Sequence, residues 1–271
     1  MRLTVLAFCL LAPLGVLASP ALACGPDTDC VVGDRTYRLY LPPAAAKGPV
    51  GLLVFAHGYR GSAAGEMANG ALRRLADDMG LALVALKSAE EDWNIAHRPR
   101  EPAQEVSREG AYVDAVLADV ATRATIDPAR RVAAGFSAGG MLTWTLACEM
   151  GDRFAGFVPM SGTFWSHVPE TCPAPPANLV HIHGLADRTV PLQGRAIGQT
   201  RQGDVGQALA AYAERGGFAP ETVESAAPGG MTCRSRQNQD GKVLAFCTFD
   251  GGHDFSTERL RYGIETVLAA P

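Results

Sequence analysis

The sequence has no run of basic residues, no Cys-x-x-Cys pair, no internal repeat and no low-complexity linker. Each absence removes a class of function. With no basic stripe and a formal net charge of −4, the chain has no electrostatic footprint for nucleic acid. With no Cys-x-x-Cys pair, a zinc ribbon or a thioredoxin-type dithiol has no frame. Beyond residue 23 no apolar stretch is long enough to span a membrane. What remains is a chain of 271 residues with 47 % hydrophobic content, enough for a sizeable core.

The first 23 residues stand apart. Arg2 supplies a positive start, Val5 to Leu17 is a short apolar run, and Ala21-Leu22-Ala23 offers a small-x-small cleavage site. These features in this order predict a secretory signal peptide over 1–23, and so a secreted or periplasmic protein. A buried N-terminal helix would not require all three features. A lipoprotein site at Cys24 is a second reading, although Ala21-Leu22 fits its usual pattern poorly. Outside this segment six cysteines remain: Cys24, Cys30, Cys148, Cys172, Cys233 and Cys247. An even count in an exported chain suggests disulfides, and six cysteines allow fifteen pairings. Joining sequence neighbours (24–30, 148–172, 233–247) is the simplest of them.

The hydrophobic pattern alternates between periods. Arg35 to Leu41 reads as an edge strand, with Tyr37, Leu39 and Leu41 on one face, ended by Pro42-Pro43. Val50 to Ala56 and Leu81 to Leu86 are continuous apolar runs, as in strands buried on both faces. A helical stretch, Glu66 to Met79, separates them. Val106, Val113, Leu117, Val120 and Ala124 recur at helical spacing; Asp127-Pro128 ends that helix and Arg131 to Gly135 begins a strand. Helix 138–150, strands 154–160 and 179–184, helix 204–215, strand 243–249 and helix 257–269 follow. Alternation of this kind predicts an α/β fold with a mainly parallel sheet covered by helices on both faces. Pro173 to Pro176 is the strongest break, but the pattern continues past it, so 24–271 reads as one domain.

The strand that ends at Gly135 runs into Gly-Phe-Ser-Ala-Gly-Gly. A serine hydroxyl is a weak nucleophile at neutral pH and needs an adjacent base and an open approach. A sharp strand-to-helix turn exposes it, provided its neighbours lack bulk. Gly135 and Gly139 would permit the crowded backbone at Ser137, and Gly140 would let the helix lie close to the sheet. Ala138 would offer its backbone N–H to a developing oxyanion at the helix start. An ordinary glycine-rich turn with an incidental serine would not need the partners that follow. Asp187 comes just past the strand ending at Gly184, and His253 just past the strand 243–249. All three sit beyond the carboxyl ends of strands, where sites form in open α/β sheets. His253 would take the Ser137 proton and Asp187 would hold its tautomer. Asp250 and Asp254 adjoin His253 and read as loop-capping residues.

Phe55-Ala56-His57-Gly58-Tyr59 supplies an early loop whose Tyr59 N–H is the second oxyanion donor. His57 reads as the histidine that orders this loop rather than as a base. His181 and His183 alternate along a strand but have no evident third ligand, so they read as sheet histidines and no metal is assigned. Trp93, Phe164 and Trp165 are candidates for an apolar substrate wall, with rim packing or core filling as the alternative.

With these residues in place, the chain resembles the polyhydroxybutyrate depolymerase-like esterases of the α/β-hydrolase fold, neighbours of bacterial feruloyl and acetylxylan esterases. The matching segments are "RTYRLYLP", "LLVFAHGYRGSA", "DPARRVAAGFSAGGMLTWTLACEMGDRFAGFVPMSG", "HIHGLADRTVPLQG" and "GGHDF". The resemblance implies a Ser–Asp–His triad at Ser137, Asp187 and His253, no cofactor, and hydrolysis of esters. The chain has Arg108-Glu109 where members often carry paired aspartates, and Asp254-Phe255 where they often have Trp-Pro. The 65 residues between Asp187 and His253 leave no room for a large helical lid. The expected partner is an ester substrate, small or polymeric, with hydroxyalkanoate polyester or oligomer first and feruloyl or acetyl polysaccharide ester second. A serine peptidase and a non-catalytic binding protein on the same fold are the remaining readings.

Overall fold

Among residues 24–271, which the computed structural model describes, strand and helix alternate over most of the length. The expected signal peptide, 1–23, lies outside the described residues. In chain order the elements are β1 (Cys30–Val32), β2 (Arg35–Tyr40), β3 (Val50–Ala56), α1 (Ala63–Ala68), α2 (Gly70–Met79), β4 (Leu81–Leu86), α3 (Glu109–Arg123), β5 (Ile126–Phe136), α4 (Ala138–Glu149), β6 (Gly156–Met160), β7 (Asn178–Gly184), β8 (Arg195–Ile197), β9 (Thr200–Gln202), α5 (Val205–Arg215), β10 (Val223–Ala227), β11 (Met231–Gln237), β12 (Val243–Phe249) and α6 (Thr257–Ala269).

Ten strands form one sheet in the order β1-β2-β4-β3-β5-β6-β7-β12-β11-β10. The central six, from β4 to β12 in that order, are parallel, and antiparallel pairs finish both ends. The apolar run of β3 follows from this position. Leu52, Val54 and Ala56 enter a core shared with α3, α4 and α5, while Leu53 and Phe55 enter a second core shared with α1, α2 and α6. A strand buried on both faces has no polar side to show. The result is an α/β fold with helices on both faces of the sheet, and no helical lid stands over the strand ends among the described residues.

The structure corrects several expectations. Strand β2 is not an edge, because the three-residue β1 pairs along its outer side. The helix expected over 66–79 is two helices, because the Asn69 side chain accepts the Ala71 and Leu72 N–H groups and caps a new start. Helix α3 starts at Glu109, and Val106 is exposed ahead of it. Strand β5 starts at Ile126, not Arg131, but its register with β3 breaks between Ile126 and Arg131, where Pro128 has no N–H to give. Three disulfides join sequence neighbours: Cys24–Cys30, Cys148–Cys172 and Cys233–Cys247. The third links residues directly opposite in the β11–β12 pair.

The first turn of helix α4 packs onto β3, β5 and β6 backbone to backbone. A Cβ at Gly139 would collide with the Ala56 carbonyl, one at Gly135 with the Gly139 carbonyl, and one at Gly140 would lie 2.5 Å from the Met160 oxygen. These obstacles are backbone, which cannot rotate aside. Gly139→Ala and Gly140→Ala are each expected to cost about 2–4 kcal/mol of stability. The measurement is the urea midpoint at unchanged m-value; an unshifted midpoint would show that α4 can lift off the sheet.

Candidate active site

The chain leaves β5 at Phe136 and enters α4 at Ala138, so Ser137 alone makes the corner. Its φ of 59° and ψ of −119° lie in a region that non-glycine residues rarely adopt. Three backbone contacts hold it there. The Ser137 N–H donates to Met160 O (2.9 Å), its carbonyl accepts the Met141 N–H (3.0 Å), and Gly135 and Gly139 let the flanking chains close around it. The corner turns the hydroxyl out toward a cleft that Ser137 lines.

Two loops meet it from the far side of β6. Past β7, Leu185 N–H donates to Phe249 O (3.0 Å) and Ala186 N–H to Gly251 O (2.8 Å), so the loops after β7 and β12 are stitched together. This brings Asp187 and His253 into contact: His253 Nδ1 donates to Asp187 Oδ2 at 2.7 Å. The other oxygen, Oδ1, accepts the N–H groups of Thr189 (2.8 Å) and Val190 (2.9 Å). The Asp187 side chain is fully buried. Burial opposes its ionisation, but hydrogen bonds from His183, His253 and the Val190 N–H outweigh that and hold the carboxyl well below the usual range. Of the rival acids, Asp254 pairs with Arg259 (3.0 Å) and neither bonds His253.

The His253 ring packs on Phe136, 4.6 Å between centroids, directly before the corner. With Nδ1 taken by Asp187, Nε2 is the nitrogen left for a proton from Ser137. No hydrogen bond joins the Ser137 hydroxyl to it in this structure. Serine–base contacts are often loose without substrate and tighten when it binds.

The loop after β3 lies against the corner: a Cβ at Gly58 would sit 3.5 Å from the Ser137 Cβ. His57 shapes this loop from within. It is buried; the Ser88 N–H donates to its Nε2 (3.3 Å) and its Nδ1 bonds Gly58 O (2.8 Å). Burial pushes its basicity down, which suits a neutral ring with these partners. The N–H groups of Tyr59 and Ala138 enter no turn or cap hydrogen bond, and both residues line the Ser137 cleft.

Trp93 does not belong to that cleft. It is fully buried behind the loop, where its indole N–H donates to His57 O (2.9 Å) and its ring packs on the His57 ring. Its place in the core follows from that bond, since an indole N–H must find an acceptor when buried. Phe164 likewise packs on Trp144 in the core. Trp165 does line the cleft, held by an antiparallel bridge to Gln202 of β9. The cleft holds about 530 Å³, and Asp92, Arg100, Val190, Arg195 and Ile197 complete much of its wall. A hollow of about 610 Å³ elsewhere, between α5 and the β11–β12 pair, contains no group of this site.

Sequence reasoning missed two parts. The β8–β9 hairpin, which brings Arg195 to the wall, is too short to show a period-2 pattern. The sequence marks His183 only as a sheet histidine, yet its Nε2 lies 3.4 Å from Asp187 Oδ2. Its spacing of four residues from Asp187, at the end of the same strand, was the available signal.

Because the folded carboxyl of Asp187 is depressed, its contribution to stability is present above the unfolded carboxylate range, about pH 4, and is lost as pH falls through the folded value. Asp187→Asn is therefore expected to show a shallower fall in Tm below about pH 5 than the unsubstituted protein. Parallel melting curves in acid would refute this account of the carboxyl.

The family model for the PHB depolymerase esterases ("Esterase PHB depolymerase") matches residues 35–174. NocK of Nocardia uniformis subsp. tsuyamanensis, which carries an esterase name, is 30 % identical over 83 % of this chain and 72 % of its own. Feruloyl esterase C of Emericella nidulans is 30 % identical over 53 % of this chain and 49 % of its own. Among solved structures, an acetyl xylan esterase from Aspergillus awamori superposes with a TM-score of 0.64 at 14 % identity, over 90 % of this chain and 96 % of that one. That likeness concerns the fold. The family model spans just over half the chain and NocK most of it, and on this ground the protein belongs to the PHB-depolymerase esterase family and is a carboxylic-ester hydrolase.

Proposed function

We propose that the protein is an exported serine esterase that works through an acyl-enzyme at Ser137. The observation that carries the reading is the Ser137 corner facing a cleft, with the Asp187–His253 pair stitched beside it. His253 Nε2 takes the Ser137 proton as Oγ attacks the ester carbonyl carbon. The tetrahedral oxyanion receives the N–H groups of Tyr59 and Ala138. As the C–O bond breaks, His253 returns the proton to the departing alcohol. Water, deprotonated by the same nitrogen, then releases the acid and restores Ser137. Asp187 stays ionised throughout and steadies the imidazolium. Three disulfides support export.

For the substrate, hydroxyalkanoate oligomer ends come first, because of the charges in the cleft wall. Arg100 is neutralised by Glu90 (2.8 Å) and Glu91 (3.5 Å). Arg195 forms no ion pair among the described residues; its Nε donates to Thr189 O (3.0 Å) and Gln202 Oε1 (3.1 Å), which fixes the guanidinium at the wall. An unpaired cation suits an ester whose alcohol carries a carboxylate, as the last link of a hydroxyalkanoate chain does. The second reading, a feruloyl or acetylxylan esterase, draws on the names of the relatives and on Trp165 as an aromatic wall.

Ser137→Ala is expected to lower turnover of p-nitrophenyl butyrate by more than about a thousandfold with an unchanged melting curve. Retained turnover would end the assignment of the nucleophile. On the 3-hydroxybutyrate dimer, the free acid is expected to exceed its methyl ester about fivefold in kcat/KM. The preference should shrink with added salt and vanish in Arg195→Gln. Equal rates for acid and methyl ester, with faster hydrolysis of methyl ferulate or acetylated xylan, would favour the second reading.

A further inference from the structure

Two fully buried histidines lie directly behind the Asp187–His253 pair. His181 and His183 point to the same side of β7, and a continuous hydrogen-bond chain runs through them. The Trp144 indole N–H donates to His181 Nδ1 at 3.1 Å. His181 Nε2 lies 2.9 Å from His183 Nδ1. His183 Nε2 lies 2.8 Å from Val190 O and 3.4 Å from Asp187 Oδ2, the oxygen that accepts His253.

The two ends of this chain fix every proton in it. An indole nitrogen can only donate, so His181 Nδ1 carries a lone pair. The carbonyl of Val190 and the ionised carboxylate can only accept, so His183 Nε2 carries a hydrogen. The middle bond then has one solution, with His181 Nε2–H donating to His183 Nδ1. Both rings are neutral in this arrangement. A second proton on His181 would face the indole N–H, and one on His183 would face His181 Nε2–H. Burial pushes His181 far toward the neutral form in any case, and the nearby His183 adds to this.

We propose that Trp144, His181 and His183 are positioning residues that act through Asp187. The His183 N–H they orient is held on the carbonyl of Val190 (2.8 Å), the residue whose N–H binds Asp187 Oδ1, and it faces Oδ2 at 3.4 Å, which keeps the carboxylate in line for His253. The inference rests on the esterase reading above. Reversing the chain shows what it does. If His181 carried its hydrogen on Nδ1, His183 would have to donate through its own Nδ1. Its bare Nε2 would then face the Val190 carbonyl and the Asp187 carboxylate, lone pair against lone pair. Asp187 would lose the facing N–H and meet a lone pair instead; in a triad, a wrong histidine tautomer alone costs turnover even where the geometry is kept.

The decisive comparison is between two substitutions at one site. Glutamine at 181 can accept from the indole and donate to His183, so His181→Gln keeps the direction of the chain. His181→Leu fills the space and breaks it. His181→Gln is expected to stay within about threefold of the unsubstituted kcat, while His181→Leu and Trp144→Phe lose about tenfold or more in kcat with KM changed less than twofold. A structural role alone would give Gln and Leu the same kcat at matched stability. Histidine 15N spectra of the unsubstituted enzyme supply a readout independent of folding. Of the six histidines, the two assigned to 181 and 183 should show the Nε2–H form and keep it as the sample is acidified to the edge of unfolding. An Nδ1–H pattern at either ring, or equal kcat for the Gln and Leu variants, overturns the proposal. Turnover surviving in Ser137→Ala would instead remove the esterase reading and leave the tautomer result standing.

Discussion

The backbone at Ser137 can adopt its positive φ only because the residues around it have no side chains to place there. Gly139 and Gly140 let the start of α4 rest on carbonyls of β3 and β6, and Gly135 makes room on β5 for the Gly139 carbonyl. That contact does two jobs with one geometry. It closes the core between helix and sheet, and it drives the serine out of the corner that the close approach creates. Strain at one residue is tolerable because a helix buried from Ala138 to Cys148 and the central strands hold both sides of it. The later parts of the site are arranged around this fixed point. The loops of β3, β7 and β12 come to it because parallel strands end on the same edge of the sheet.

Around the site, the buried titratable groups are answered by matched hydrogen bonds. Asp187 has donors on both oxygens and so stays ionised out of water. His57 and His181 are buried and neutral, each with a donor and an acceptor matched to its two nitrogens. Arg100 at the cleft is paired with glutamates. Against that background Arg195 stands out in the cleft wall as a cation with no ion pair among the described residues.

The polar chain beneath Asp187 also links core packing to the site. Trp144 is a core residue by every measure, packed against Phe164, Tyr212 and His181. Its one polar atom nevertheless sets the direction of the hydrogen bonds that end at Val190, beside the carboxylate. The same holds for Trp93, whose indole supports the loop that carries Tyr59. Both tryptophans support the site from below without touching the cleft.

Much of this was readable from residue order. The strands β3 and β4 declared themselves as unbroken apolar runs, since central parallel strands have no wet face. Ser137, Asp187 and His253 could be singled out because each follows the carboxyl end of a strand, β5, β7 and β12. The neighbour pairing of the cysteines followed chain proximity, which keeps loop closure cheap. Other features could not be read in this way. Strand β2 looked like an edge because the strand that covers it is three residues long. Trp93 looked like a substrate wall because an aromatic side chain carries the same signal whether it faces a cleft or a core. The β8–β9 hairpin was too short for any period, so Arg195 had no address. Hydrophobic spacing along the chain decides which elements form and in what order they lie. Only the packed structure decides which face of a residue meets which neighbour, because hydrogen-bond direction and charge compensation depend on atoms brought together from distant parts of the chain.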